Sequence, residues 1–269
     1  MLKIGVVGAT GRMGRMIIGA VFNNPKTCLT AVLERQGHPL IGKNIGDIIG
    51  FPELNVGLTD NLKKFIADSE IIIDFSAAES TLNLIKTIKS ASVKLVIGTT
   101  GFNESQYKII RNFAKRNACV LSPNMSIGVN LLFNLTTEVS KIIGKQYDIE
   151  IIEAHHNRKK DSPSGTAVKI AELAAAASGR NIEKCGVYGR KGIIGERKND
   201  EIGVHAVRAG DIVGEHTVIF AGAGERIELT HRAHSRETFA SGAVNAAVWL
   251  AGRKSGLYSM QDVLGLTKK

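Results

Sequence analysis

The chain has 269 residues, 43% hydrophobic and 22% charged, which is ordinary for a globular protein with room for one large core or two smaller ones. A net charge of +10 suits nucleic acid or a small polyanion drawn into a cleft, and with few aromatics and no nucleic-acid motif the small polyanion is the better fit. No apolar run approaches the roughly 20 residues of a membrane span, and three scattered cysteines (Cys28, Cys119, Cys185) fit neither a disulfide framework nor a metal site, so the expected setting is the reducing cytoplasm.

In chain order, the first segment, MLKIGVVGATGRMG, reads as a buried strand running into a glycine turn, not as a secretion signal. Short apolar runs at Leu2–Val7, Leu29–Leu33, Ile71–Phe75, Leu95–Ile97 and Cys119–Leu121 have the length and β-branching of strands buried on both faces. Amphipathic stretches such as SAAESTLNLIKTIKSAS and NESQYKIIRNFAKRN lie between several of them. This βα alternation predicts a Rossmann-type, doubly wound parallel sheet. Gln36 to Gly57 is glycine-rich and reads as a long loop with little structure of its own.

Beyond about Ser126 the pattern changes. A helix at Ile127–Ile143 leads to a strand at Asp148–Ala154, then a loop and an Ala-rich helix ending at Gly179. A glycine- and charge-rich stretch (Gly186–Glu201) precedes strands at Gly203–Arg208, Glu215–Ala221 and Arg226–Thr230, and a final helix covers Thr238–Ala251. Short strands with Gly-rich turns predict a second, α+β domain with a mostly antiparallel sheet.

Two places carry chemistry. After the first strand, Gly8, Ala9, Thr10, Gly11, Arg12, Met13 and Gly14 form a glycine turn into a helix, where backbone can approach a pyrophosphate at the helix N-terminus. Glu34 ends the second strand twenty residues after Gly14, where a carboxylate can accept both ribose hydroxyls, while neighbouring Arg35 could grip a 2′-phosphate. Dual use of NADH and NADPH is therefore expected. Gly98, Thr99, Thr100 and Ser122, Pro123, Asn124, Met125 follow the fourth and fifth strands, at the carboxyl ends where such sheets bind ligands.

The second place is EAHHNRKKDSPSGTA, Glu153 to Ala167. His155, His156 and Lys159 lead into a helix whose start, Ser164-Gly165-Thr166, offers amide donors and a dipole to an anion. Adjacent histidines on a strand point to opposite faces, and the remaining histidines lack zinc-like spacing, so general acid/base work is expected rather than metal binding. Asp161 and Ser162 read as turn and helix-capping residues. These residues alone leave open which small acid is bound, and whether the chain reduces it or only senses a dinucleotide.

The pattern E-x-x-E-A-H-H-x-x-K-x-D-x-P-S-G-T-A from Glu150 to Ala167 resembles the hallmark of the dihydrodipicolinate reductase family. The likeness extends through GATGRMG, Glu34-Arg35, GTTG, SPNMSIGVN, HRAHSRETFASGAV and GLYSMQDVL, with Met125 standing where an aromatic is common and Ser162 where alanine is common. The resemblance implies NADH- or NADPH-dependent reduction of 4-hydroxy-tetrahydrodipicolinate in the diaminopimelate–lysine route. His155 would be the proton donor or acceptor and Lys159 a second donor, with His156, Gly165 and Thr166 binding the dicarboxylate. It also implies a dinucleotide-binding domain of residues 1–126 and 237–269, a substrate and oligomerisation domain of residues 127–236, and a homotetramer acting on a small dicarboxylate without nucleic acid or membrane.

Overall fold

The computed structural model describes residues 1–90 and 92–267. In chain order the elements begin β1 (Leu2–Val7), α1 (Arg12–Phe22), β2 (Thr27–Leu33), α2 (Ile45–Ile49), β3 (Leu58–Thr59) and α3 (Leu62–Ala67). They continue β4 (Ile71–Asp74), α4 (Ala78–Thr87), β5 (Lys94–Ile97), α5 (Glu104–Ala114), β6 (Ala118–Leu121) and α6 (Ile127–Ile143). Next come β7 (Asp148–His155), α7 (Gly165–Ala177), α8 (Ile182–Cys185), β8 (Gly186–Val187), β9 (Ile202–Arg208) and β10 (Gly214–Gly222). The last are β11 (Glu225–Ala233), α9 (Glu237–Ala251), β12 (Gly256–Tyr258) and α10 (Met260–Val263).

The chain divides into two compact units: residues 1–127 with 236–269, and residues 128–235. The first unit holds a seven-stranded sheet in the order β12-β6-β5-β4-β1-β2-β3 with every pairing parallel. This is the doubly wound order, and the strand sequence reverses between β1 and β4. The central strands are buried on both faces, as their unbroken apolar runs require: Ile4, Val6, Ile72, Ile73, Leu95 and Val96 have no exposed surface. One face packs on α1 and α9 through Ile17, Ile18, Ala243 and Ala247, and the other on Phe65, Leu84 and Ile110 from α3, α4 and α5.

The long loop expected at Gln36–Gly57 is more structured than its glycines suggested. Asn44 caps α2 by accepting the Gly46 amide at 3.1 Å, and Asn44 bridges Gly57. Ile45 and Leu54 are buried in the core, so a few apolar side chains pin the segment despite its turn-rich composition.

The second unit carries a five-stranded sheet in the order β11-β10-β7-β9-β8. The expected antiparallel pairing holds for β11-β10-β7, but β9 pairs parallel to β7 and to β8, so the sheet is mixed. The reason is α7, whose length lets the chain cross over and return parallel to β7. Ile149, Ile151, Ile202, Val218 and Phe220 pack under α6 and α7.

Glu150 organises the glycine- and charge-rich stretch after β8. It accepts two bonds from Arg190, both at 2.9 Å, one from Arg197 Nε at 3.0 Å, and lies 2.6 Å from His205 Nε2. Burial alone would raise Glu150, but these donors outweigh it and bring the carboxyl from near 4.5 down to about 2. A carboxylate held low in the fold contributes stability that is complete above its unfolded value and is lost as the pH falls through its folded value. Acid titration followed by circular dichroism should therefore show a loss of stability between about 4.5 and about 2 that Glu150→Gln diminishes. Identical acid dependence in the two proteins would contradict this role.

Candidate active site

In the first unit, the turn after β1 is built for close approach. Gly8 has φ +67°, and a Cβ on Gly14 would sit 2.1 Å from the Gly8 carbonyl oxygen, so the turn tolerates no side chain there. Gly11 caps α1 with extended backbone and no side-chain bond, leaving the helix start to an external acceptor. Ala9 is fully buried, Arg12 is exposed and Met13 is half-buried.

Glu34 stands at the end of β2, beside this turn. Its Oε1 accepts the Thr10 amide at 3.0 Å and the Thr10 hydroxyl at 2.6 Å, and its Oε2 accepts the Arg35 amide at 3.2 Å. Burial works to raise Glu34, yet the Thr10 and Arg35 bonds prevail and hold it below the usual carboxylate range, so it is an ionised acceptor. Gly8, Glu34 and Arg35 line a cleft of about 590 Å³ that also takes in Asp60, Ser76 and Asn83. The exposed Arg35 and the fixed Glu34 carboxylate therefore share the mouth of one cavity.

The strand ends at 98–101 and 122–125 divide between surface and support. Thr100 and Pro123 are exposed, and Gly98 and Asn124 half-buried. Thr99 and Ser122 are buried, Thr99 bonding Thr81 at 3.2 Å and the Asp74 carbonyl at 3.3 Å, and Ser122 the Asn124 carbonyl at 2.8 Å. Met125 is 1% exposed and packs in the core, so it can offer a ligand only its backbone.

In the second unit, β7 delivers the acid/base candidates. Glu153 and His155 are two apart on a strand and so share its inner face. His155 Nδ1 lies 2.6 Å from Glu153 Oε2. Arg208 on β9 grips the same carboxylate with two bonds of 2.8 Å, and the Ser164 amide donates to it at 3.0 Å. Burial tends to raise Glu153, but Arg208, His155 and the Ser164 amide hold it below the ordinary range. Burial lowers His155, with the charges of Lys159 and Arg208 adding to that effect and Glu153 opposing it.

Ser164, not Asp161 or Ser162, caps α7: its hydroxyl accepts the Ala167 amide at 3.1 Å. Gly165 and Thr166 form the first turn, exposed and half-buried respectively. Asp161 instead pairs with Lys159 at 3.0 Å, and its carbonyl accepts Arg208 at 2.8 Å. His156 follows the strand end, half-buried, and its carbonyl accepts the Lys159 amide at 3.1 Å. His216 on β10 completes the cluster, 3.1 Å from the Ser164 hydroxyl and edge-on to His155 with ring centroids 5.2 Å apart. Burial, reinforced by neighbouring His155, pushes His216 down to about 3, so it is a neutral imidazole. Sequence reasoning did not single out Glu153, Arg208 or His216; for Glu153 alone a local signal existed, its two-residue spacing from His155.

Comparison with known proteins bears on the whole chain. Residues 2–125 match the model of the dihydrodipicolinate reductase N-terminus, and residues 128–264 that of its C-terminus. The chain belongs to the dihydrodipicolinate reductase family. A relative in Hahella chejuensis named 4-hydroxy-tetrahydrodipicolinate reductase is 50% identical over 99% of this chain and 100% of its own length. One of the same name in Desulfotalea psychrophila is 49% identical over 99% of each. The dipicolinate-bound dihydrodipicolinate reductase from Paenisporosarcina sp. TG-14 superposes with a TM-score of 0.76 at 25% identity, covering 97% of this chain and 98% of that one. This member of the family is an oxidoreductase with a nicotinamide-dinucleotide fold, and the family acts in diaminopimelate and lysine biosynthesis.

The Glu34 geometry generates a direct test. A hydrogen bond to an ionised acceptor is worth about 1.5–3 kcal/mol, so Glu34→Ala should weaken NADH binding by roughly 10- to 100-fold. NADPH, whose 2′-phosphate gains nothing from a carboxylate, should lose much less. Titration calorimetry with both dinucleotides decides it, and equal losses would argue against a ribose contact.

Proposed function

We propose that this chain reduces 4-hydroxy-tetrahydrodipicolinate to tetrahydrodipicolinate, with His155 and Lys159 handling protons and His156, Gly165 and Thr166 holding the dicarboxylate. The balance is one diacid, one hydride and one proton giving tetrahydrodipicolinate and water. In the first unit Gly8 to Met13, Glu34, Arg35, Gly98 to Thr100 and Ser122 to Met125 would hold NADH or NADPH, which would supply the hydride.

The observation that carries this reading is the Glu153–His155 pair beside the Ser164-capped start of α7. One buried carboxylate bonds both the proton-transfer group and the helix start that binds anions. Hydride addition to a conjugated imine leaves an electron-rich enamine that must gain a proton. The Lys159 ammonium, 20% exposed and paired with the more exposed Asp161, can give that proton or stabilise the developing charge, and the largely buried His155 can relay it. A substrate carboxylate fits the amide donors of Gly165 and Thr166.

His155→Ala and Lys159→Ala should each lower kcat by about two to four orders of magnitude while leaving dinucleotide affinity unchanged. Loss of NADH binding with kcat retained would overturn the assignment of roles.

A homotetramer built through the sheet of the second unit belongs to the same proposal. Ile152 and Val207 are 38% and 43% exposed on adjacent strands of that sheet, apolar surface that an isolated subunit leaves in water. Sedimentation at micromolar concentration should give four times the chain mass, and Ile152→Lys should shift it downward; a monomeric native protein would contradict the proposal.

A further inference from the structure

We infer that Glu153 is a positioning residue for the reaction: its carboxylate fixes which nitrogen of His155 transfers the proton and holds the start of α7 in register with that ring. This deepens the role proposed for His155 and rests on it.

Glu153 has no exposed surface, and both of its oxygens are taken. Oε2 faces His155 Nδ1 at 2.6 Å and one Arg208 nitrogen at 2.8 Å, while Oε1 accepts the Ser164 amide at 3.0 Å and the other Arg208 nitrogen at 2.8 Å. A carboxylate gripped in two places by a guanidinium stays ionised and can only accept. The proton on the His155–Glu153 line therefore belongs to Nδ1. In the neutral ring Nε2 is then bare and works as a base; in the cation it is Nε2–H that donates.

The surroundings leave Nε2 as the working atom. A Cβ on Gly214 would stand 3.1 Å from Nε2, so the missing side chain at the start of β10 keeps that nitrogen uncovered. The groups facing His155 come from each packed element: Glu153 from β7, Arg208 from β9, His216 from β10, and Lys159, itself paired with Asp161, from the segment after β7. Glu153 is the anion in direct contact with the ring. Arg208 is no substitute, since it completes the carboxylate and adds positive charge beside the imidazole. A purely structural brace would need neither a short bond to His155 nor an open Nε2.

The first test needs no variant. In the full-length protein labelled with ¹⁵N-histidine, above the pH at which His155 titrates, the inference expects Nδ1 protonated and Nε2 bare; the opposite tautomer overturns it. The second test is the pH profile of kcat. Glu153→Gln should lower kcat by about 10- to 100-fold with KM for the diacid changed less than threefold. It should also move the limb that reports His155 to lower pH, because the imidazolium loses its anionic partner. Glu153→Asp, which keeps the charge, should restore the limb toward its native position. A Glu153→Gln protein that only melts earlier, with kcat and profile unchanged, shows a structural brace and overturns the inference. If His155→Ala itself retains full kcat, the role proposed for His155 fails first, and the tautomer measurement still judges the geometry.

Discussion

A carboxylate with no access to water must find donors for both oxygens, and the second unit is arranged around the one at Glu153. Arg208 from β9, the His155 ring from β7 and the Ser164 amide at the start of α7 converge on it. Three elements, β9 lying 55 positions further along the chain, are thereby held in one register. Breaking a buried charged pair by removing one partner costs about 3–5 kcal/mol, much of it the penalty of leaving the other charge unpaired. The arrangement is thus fixed as a whole: β7 cannot shift against β9 without stranding a charge, nor against α7 without breaking the Ser164 amide bond.

The first unit shows the same device with a different balance. Asp74, buried at the end of β4, accepts hydroxyls from Ser76 at 2.5 Å and Thr81 at 2.7 Å, with Thr99 at 3.4 Å, tying together the loops after β4 and β5. Burial dominates there and raises Asp74 despite those bonds. At Glu153 a guanidinium replaces neutral hydroxyls as the main donor, and the shift goes the other way. One carboxyl braces the strand ends of the first unit; the other stays ionised beside His155.

Much of this was legible along the chain because it is written locally. The parallel sheet follows from short β-branched runs separated by amphipathic helices, and β1 and α6 fall where their apolar patterns begin and end. The glycine turn, Glu34 and the His155–Lys159 segment lie within short windows whose residue types already imply anions and proton transfer. The family resemblance then narrowed a small acid to one cyclic diacid. What stayed hidden depends on pairing between distant strands. Arg208 and His216 lie 55 and 52 positions from the residues they contact, and nothing local marks them as partners. The parallel placement of β9 beside β7 was hidden for the same reason, since the sheet order is a property of the crossover through α7 and not of either strand. Met125 and Thr99 show the converse: their motifs were read correctly as strand ends, but burial turns their side chains into support.

The central claim is that a dinucleotide unit and a Glu153-centred acid and anion site together reduce a cyclic diacid. The most direct measurement is steady-state oxidation of NADH and NADPH, side by side, by the full-length protein supplied with the condensation product of aspartate semialdehyde and pyruvate. The account predicts oxidation dependent on that diacid with at least one dinucleotide, and tetrahydrodipicolinate formed in equal amount. Binding of both ligands with no turnover of either dinucleotide would contradict it.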